Sequence, residues 1–401
     1  MANTIKQKRG TSDPGASDLV VGELAINTTD GGVFTKTDGG TVVEVGAGGG
    51  GGASAIDDLS DAVTYDSGLS IGLGTGALAS DDGTDNNNTA LGYQALNATT
   101  SGEGNVGVGY QTLKANTTGI ANVAVGNQAL TANTTGNRNV ALGDGALVSC
   151  TTGGLNFAVG EAAGQSLTTG TGNFFMGRLA GRNITASGNN VCIGSQSGDG
   201  ISGAFSNYNV AVGSNALSAA LTTGLNTAIG GNALVNSTGQ GNTGIGYDAG
   251  NTTTSGTNVT CIGHDAEASS ATASNEITLG DANVSTLRCN TQTISSLSDA
   301  RDKTDVQELP EGLDFISKLN PVKFQWQTRD GNGKDGTYEA GFVAQELQSA
   351  QQDADADYLG LVMDENPDRL EASYGKLVPM LVKAIQELKS EVEQLKANAN
   401  S

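Results

Sequence analysis

Apolar and polar positions alternate in short bursts through the middle of this chain, and the bursts return at an almost fixed interval. Asn88-Thr-Ala-Leu-Gly92 is followed by Asn105-Val-Gly-Val-Gly109, Asn122-Val-Ala-Val-Gly126, Asn139-Val-Ala-Leu-Gly143 and Asn156-Phe-Ala-Val-Gly160, then by Asn173-Phe-Phe-Met-Gly177 and Asn190-Val-Cys-Ile-Gly194. These glycines lie 17 residues apart; one longer step leads to Gly213, and the series continues through Gly230, Gly246, Gly263 and Gly280. Such self-similarity marks a repeat architecture. Within one repeat, Val140 and Leu142 alternate with Ala141, a second short run ends in Ala146-Leu147, and a Thr/Asn/Gly/Ser loop closes the unit. Strands bounded by such loops fit this spacing, and no helix does. The reading is about two short strands and two turns per repeat, one coil of a β-solenoid. Val140, Leu142 and their equivalents are expected inside. Stacking at about 4.8 Å per coil makes a dozen coils a rod of roughly 60 Å. Asn88, Asn105, Asn122 and their successors then form an amide ladder.

The pattern changes on either side of the repeats. Residues 1–45 carry alternating runs around Asp-Gly turns and read as a compact β module; 46–56 form a glycine-rich linker; 57–290 hold the repeats; and from about Thr291 glycine falls, charge rises, and Trp326, Pro310 and Pro321 appear. Residues 291–401 are therefore a separate α+β domain, with an expected core of Leu313, Phe315, Ile316, Leu319, Val322, Phe324, Trp326, Phe342 and Val343. Leu313–Leu319 has helical spacing, Val322-Lys-Phe-Gln-Trp alternates as a strand, and Tyr338–Glu346 returns as strand and turn. Tyr374–Asn398 reads as one helix. Its stripe of Val378, Leu381, Ile385, Leu388, Val392 and Leu395 has heptad spacing and no obvious partner within the chain, so it predicts self-association.

Composition narrows the function. The chain of 401 residues has 60 glycines, 4% aromatic residues and a formal charge of −22. Acidity on this scale argues against nucleic acid, whose phosphates call for clustered Lys and Arg. Between residues 54 and 297 the basic residues are Lys114, Arg138, Arg178, Arg182 and Arg288, besides the single His264. No run has membrane-helix length, and Met1–Lys6 leads into no apolar segment, so no membrane insertion and assembly in a cytoplasm are expected. Cys150, Cys192, Cys261 and Cys289 lack metal or redox spacing and read as small apolar fillers. No metal and no cofactor are expected. Asn97, Asn116 and Asn133 match a glycosylation triplet but sit in the repeat loops. With Ala, Val and Gly in place of bulky core residues, one coil stack buries little against its ordering entropy. Several copies packing their small-residue faces together, as a homotrimer, would remedy this.

Three resemblances extend this reading. The Asn-x-(Val/Ala)-x-Gly phrases over roughly residues 70–285 resemble the head repeats of trimeric autotransporter adhesins, which implies a left-handed parallel β-roll and a trimer, here with a longer period. The Arg9-Gly-Thr start and the Gly22-Glu-Leu-Ala-Ile-Asn-Thr-Thr-Asp-Gly hairpin resemble N-terminal modules of bacteriophage fibre and tail proteins, which implies docking to a phage tail or baseplate. Leu297-Ser-Asp-Ala-Arg-Asp-Lys303, with Leu319-Asn-Pro-Val-Lys-Phe-Gln-Trp326, Gly341-Phe-Val-Ala-Gln-Glu346 and Ala384-Ile-Gln-Glu-Leu388, is similar to the C-terminal intramolecular chaperone of phage tailspikes of the endosialidase type over residues 298–395. That family implies a domain that registers and folds three chains and then cuts itself off before the serine, between Leu297 and Ser298. Ser298 carries over as nucleophile and Lys303 as general base. The chemistry is coherent, since a serine needs a base and a desolvated lysine can serve. Arg301 and Asp299 either position the turn or form a local salt bridge.

The resulting expectation is a phage tail fibre, part of the virion, that attaches to a host cell-surface receptor such as a glycan. A tailspike enzyme that degrades surface glycan is the alternative. Such an enzyme needs a carboxylate pair about 5–10 Å apart, for which Asp144, Glu161, Asp199 and Asp248 are the candidates, and Tyr93, Tyr110, Tyr208 and Tyr247 are the residues that could stack on sugar. Ile/Val at a with Leu at d in the terminal helix favours two strands, against the three of the resemblance.

Overall fold

The computed structural model describes residues 7–10, 24–27, 33–36, 41–44, 62–64, 70–84, 86–202, 206–219, 223–284, 286–288, 290, 298–327, 336–364, 366–368 and 370–400. The expected linker at 46–56, Cys289 and Leu297 lie outside these residues. The chain divides into two compact units, Met1–Thr169 and Gly170–Ser401.

The first unit begins with a four-stranded sheet of β1 (Gln7–Gly10), β2 (Leu24–Asn27), β3 (Val33–Lys36) and β4 (Val42–Glu44), parallel between β1 and β2 and antiparallel thereafter. β5 (Ala62–Thr64) then pairs antiparallel with β6 (Ile71–Leu73). From β6 onward every neighbour is parallel and in register: β7 (Thr89–Leu91), β8 (Val106–Val108), β9 (Val123–Val125), β10 (Val140–Leu142) and β11 (Phe157–Val159). The second unit continues the same phrase with β12 (Phe174–Met176), β13 (Val191–Ile193), β14 (Val210–Val212), β15 (Thr227–Ile229), β16 (Thr243–Ile245), β17 (Thr260–Ile262) and β18 (Ile277–Leu279). The protein is mainly β, a solenoid of about 12 turns followed by a domain with a C-terminal helix.

Each coil contributes one strand, not two. Ala146-Leu147 lies in a turn, and Leu147 has φ +52°, as do its equivalents Leu96 and Leu130. A left-handed conformation costs an L-residue roughly 1–2 kcal/mol. Full burial of the leucine returns about 1.5–3 kcal/mol, so the turn holds. The strand also faces the other way from expectation. Ala141 is completely buried, whereas Val140 and Leu142 are partly exposed. A coil this short has room inside for a methyl group from the strand and for one bulky group from the turn. At three turn positions held by glycine the bulk moves three residues on: Gly164 goes with Leu167, Gly181 with Ile184 and Gly198 with Ile201, all three large residues fully buried. A β-carbon on Gly181 would lie 2.4 Å from Phe175 Cε1, so the strand's one buried phenylalanine requires that glycine.

The amide ladder is present and fully buried. Asn139 donates its backbone N–H (2.9 Å) and its Nδ2 (3.1 Å) to Asn122 Oδ1, and Nδ2 also donates to Gly153 O at 2.8 Å; Asn156 repeats the pattern on Asn139 Oδ1. Each asparagine thus satisfies backbone groups that the coil cannot pair for itself. The phrase's glycine is needed for two reasons. Gly143 has φ +141°, and a β-carbon there would lie 2.5 Å from Gly160 O. Asn116 and Asn133 are buried too, which removes them as glycosylation acceptors.

The C-terminal domain, within the second unit, holds α1 (Leu313–Ile316), an antiparallel pair β19 (Val322–Gln325) and β20 (Tyr338–Gly341), α2 (Ala344–Asp353), a second antiparallel pair β21 (Val362–Met363) and β22 (Glu371–Ala372), and α3 (Val378–Ala399). Its core is Phe315, Ala356, Leu359, Leu361, Leu377 and Met380, with Leu309, Ile316, Leu319 and Phe342 packed against it. Of the expected core, Val343 is instead exposed, and Val322, Phe324 and Trp326 are half-buried. The segment Ala344-Gln-Glu-Leu-Gln-Ser-Ala-Gln-Gln-Asp is helix rather than turn because it consists almost wholly of good helix formers. Tyr374–Leu377 is a short 3-10 turn, and Pro379 sits in the first turn of α3, where its missing N–H costs nothing. Among the described residues no helix is long and apolar enough to cross a membrane.

Replacing Asn139 by Ala should cost about 1–3 kcal/mol for each backbone group it orphans, whereas Asn127→Ala, at an exposed loop position, should stay within about 0.5 kcal/mol. Denaturant midpoints of the two variants check this, and equal midpoints would remove the ladder as a structural element.

Candidate functional site

Where the C-terminal domain begins, a short segment folds back on itself. Asp299 is the N-cap of a 3-10 turn at Ala300–Asp302: its side chain accepts from Arg301 N at 2.9 Å. The turn closes through Asp302 N to Asp299 O (3.1 Å) and Lys303 N to Ala300 O (3.3 Å). Lys303 consequently reaches back to Ser298, with Nζ 2.7 Å from the hydroxyl Oγ and 3.4 Å from the Ser298 carbonyl oxygen. The two residues expected to act together are therefore in direct contact. Leu297, on the other side of the expected scissile bond, lies outside the described residues.

All of this segment is exposed in the single chain. Arg301 lays Nε and Nη2 on the two carboxylate oxygens of Asp299, at 3.0 and 2.6 Å. The side-chain hydrogen bonds from Arg301 are the main cause that holds the Asp299 carboxyl below its ordinary range, followed by the bond from the Arg301 N–H. The pair raises the arginine in turn.

A second set of contacts carries the domain behind this segment. Glu387 of α3 accepts Leu313 N at 2.7 Å and so caps α1, while Lys383, one turn earlier, bonds Glu308. Lys383 lowers the Glu308 carboxyl by hydrogen bond and charge. Tyr358 donates to Glu311, and its hydroxyl is pushed up to about 12, by burial first and then by that carboxylate. Residue pattern alone does not reveal these contacts; the one signal in it is the Lys383/Glu387 pair at i,i+4.

The other candidate residues are scattered and occupied. Asp144 accepts from Asn127 Nδ2 (2.7 Å), and Asp248 from Asn232 Nδ2 (2.8 Å). Asp199 is paired with Arg182 at 2.8 Å, and Glu161 is exposed on its loop. Tyr93 and Tyr110 stack on one another, 5.4 Å apart, and Tyr247 stacks on His264 at 5.7 Å, so these rings spend faces on each other, while Tyr208 is exposed. Burial pushes the Cys150 thiol up to about 11 and those of Cys192 and Cys261 to about 12, which makes them inert fillers. Among the described residues, one group has the spacing of metal ligands, His264, Asp265 and Asp281, with ligand atoms within 4.8 Å of one another. It lies at the surface; His264 Nδ1 already contacts Asp265, and both oxygens of Asp281 accept from Asn283.

The Asp299 carboxyl sets a pH window for the turn. Its folded value is depressed, so its contribution is present above the ordinary aspartate range, about pH 4, and is lost as pH falls through the lower folded value. The Arg301 amide and Nε–H resonances should hold their positions from pH 8 to about 5 and move together only in stronger acid. Independent movement of the two, or movement near neutrality, would contradict the clamp.

No curated protein and no solved structure matches the chain. Residues 298–356, beginning at Ser298 itself, match the family model Peptidase_S74, the chaperone of endosialidase, which together with the β-solenoid before it fits a protein of the tail-fibre or endosialidase type.

Proposed function

We propose that this chain is the subunit of a homotrimeric phage tail fibre whose C-terminal domain drives assembly and then cleaves itself off between Leu297 and Ser298. The observation that carries this is the 2.7 Å contact between Lys303 Nζ and Ser298 Oγ, at the first residue of the chaperone match and directly after a solenoid. In the cut, neutral Lys303 takes the hydroxyl proton as Ser298 Oγ attacks the Leu297 carbonyl carbon. The C–N bond breaks, the Ser298 nitrogen takes a proton, and an ester links the two halves. Water then hydrolyses the ester, leaving a carboxylate on Leu297 and a free amine on Ser298. A lysine works as general base only once desolvated, and both side chains are exposed in the single chain. Packing of neighbouring subunits over residues 298–303 supplies the dry environment, so cutting follows assembly.

Two exposed apolar surfaces support self-association. Along α3, Ile385 is 66% and Leu395 67% exposed, and Val378, Leu381, Leu388 and Val392 complete the heptad seam. On the solenoid sheet the strand residues flanking each buried central residue stand in columns, among them Leu91, Val125 and Leu142 in the first unit and Met176, Ile229 and Ile262 in the second, with Leu91 45% exposed. Contiguous apolar surface of this kind marks an interaction face. Its residues are large, so the copies pack through these columns and not through the small-residue faces that composition suggested. Like coils slip at little cost, and a C-terminal trimeriser sets their register. Its removal afterwards leaves the fibre without a route back, a kinetic lock. Residues 1–45 dock to the tail or baseplate, and the fibre as part of the virion meets a host surface receptor, a glycan by preference.

Ser298→Ala and Lys303→Ala should each leave only full-length chain on a denaturing gel, where the unaltered protein gives two fragments; a normal fragment pair from either variant removes the dyad. Ile385→Asp should abolish the assembled species in native mass spectrometry, and persistence of a trimer would show that the α3 seam is not part of the interface.

A further inference from the structure

We infer that Asp299 is the positioning residue of the cleavage, acting through Arg301 and the turn it caps to deliver Lys303 to Ser298; this rests on the proposed Ser298–Lys303 reading. Five residues of extended chain span roughly 17 Å, yet Nζ and Oγ are 2.7 Å apart. Something must hold the turn shut. Packing does not, since the turn has no buried residue. The backbone does so weakly, through one bond of 3.1 Å and one of 3.3 Å. The three remaining contacts all converge on one carboxylate: Arg301 N at 2.9 Å and Nε at 3.0 Å on Oδ1, and Nη2 at 2.6 Å on Oδ2.

Arg301 also has a second effect. A free carboxylate next to Ser298 would compete for the Lys303 ammonium and draw it from the hydroxyl. The guanidinium fork occupies both oxygens of Asp299, a geometry that a lysine at 301 cannot reproduce. Asp299 therefore supplies the cap without capturing the base. Cap and fork work as one unit, because the same oxygen serves both.

The test is the rate of fragment appearance for the full-length chain during refolding, read on the assembled fraction isolated by size exclusion. Asp299→Ala should slow cleavage about five- to thirtyfold, as the loss of a helix-type cap does. Asp299→Asn and Asp299→Ser, which still cap, should stay within about threefold of the unaltered chain. Arg301→Ala should slow cleavage too, and the double variant Asp299→Ala/Arg301→Ala should be no slower than Asp299→Ala alone. A role in folding alone would lower the yield of assembled protein and leave the rate within that fraction unchanged, which overturns the inference. So would an Asp299→Asn chain as slow as Asp299→Ala, or an Asp299→Ala chain that cleaves normally while Ser298→Ala does not. Cleavage in Ser298→Ala would instead remove the underlying reading, and this inference with it.

Discussion

The structure depends on how little fits inside a coil of seventeen residues. Three strand residues and two tight turns enclose a space that accepts alanine from the strand and one leucine or isoleucine from the turn. The apolar residues that flank the buried strand position stay half-exposed or exposed. The interior is closed by hydrogen bonds as much as by hydrophobic contact, because each buried asparagine settles the backbone groups of its neighbour. A buried amide is costly when unpaired and stabilising when fully paired, and the ladder is the paired case. The same narrowness explains the glycines, where the backbone of one coil touches the next with no space for a β-carbon.

From that constraint follows the link to assembly. Branched and sulfur-bearing side chains that a wider fold would bury stand in columns at the surface of the strands, and a helix ends the chain with an apolar seam facing no partner among the described residues. A fold built this way is locally satisfied in its hydrogen bonds but incomplete in its apolar burial. In the proposed fibre such a fold gains by association along its length, and gains little from the particular register in which association occurs. A separate domain that sets the register is the physical complement of such a repeat, and the match at residues 298–356 to a chaperone of endosialidase stands at the expected place.

The candidate site has the same economy. Its geometry comes from one capped turn without a buried residue, and Ser298 and Lys303 are five residues apart in the chain. A site so exposed is a poor catalyst by itself. Under the proposed function, such a design suits a reaction that runs once, in a particular assembly state, and then stops.

Sequence by itself determined the period, the asparagine ladder and the parallel stacking, because each of these follows from residue identity repeated at a fixed spacing. It also supplied Ser298 and Lys303, through motif resemblance and not through their spacing, which alone is common. Tertiary structure decided which way the strands face. Over three residues, apolar-alanine-apolar is compatible with either face inward, and only the diameter of the closed coil puts Ala141 inside and Val140 and Leu142 outside. It decided that Ala146-Leu147 is a left-handed turn, since a leucine at positive φ is legible only where its burial outweighs its strain. It decided the C-terminal core around Leu359, Leu361, Leu377 and Met380, whose partners are distant in the chain. Apolar residues of one helix look alike in sequence whether they are covered or bare; contact with the rest of the fold is what tells Met380 from Ile385.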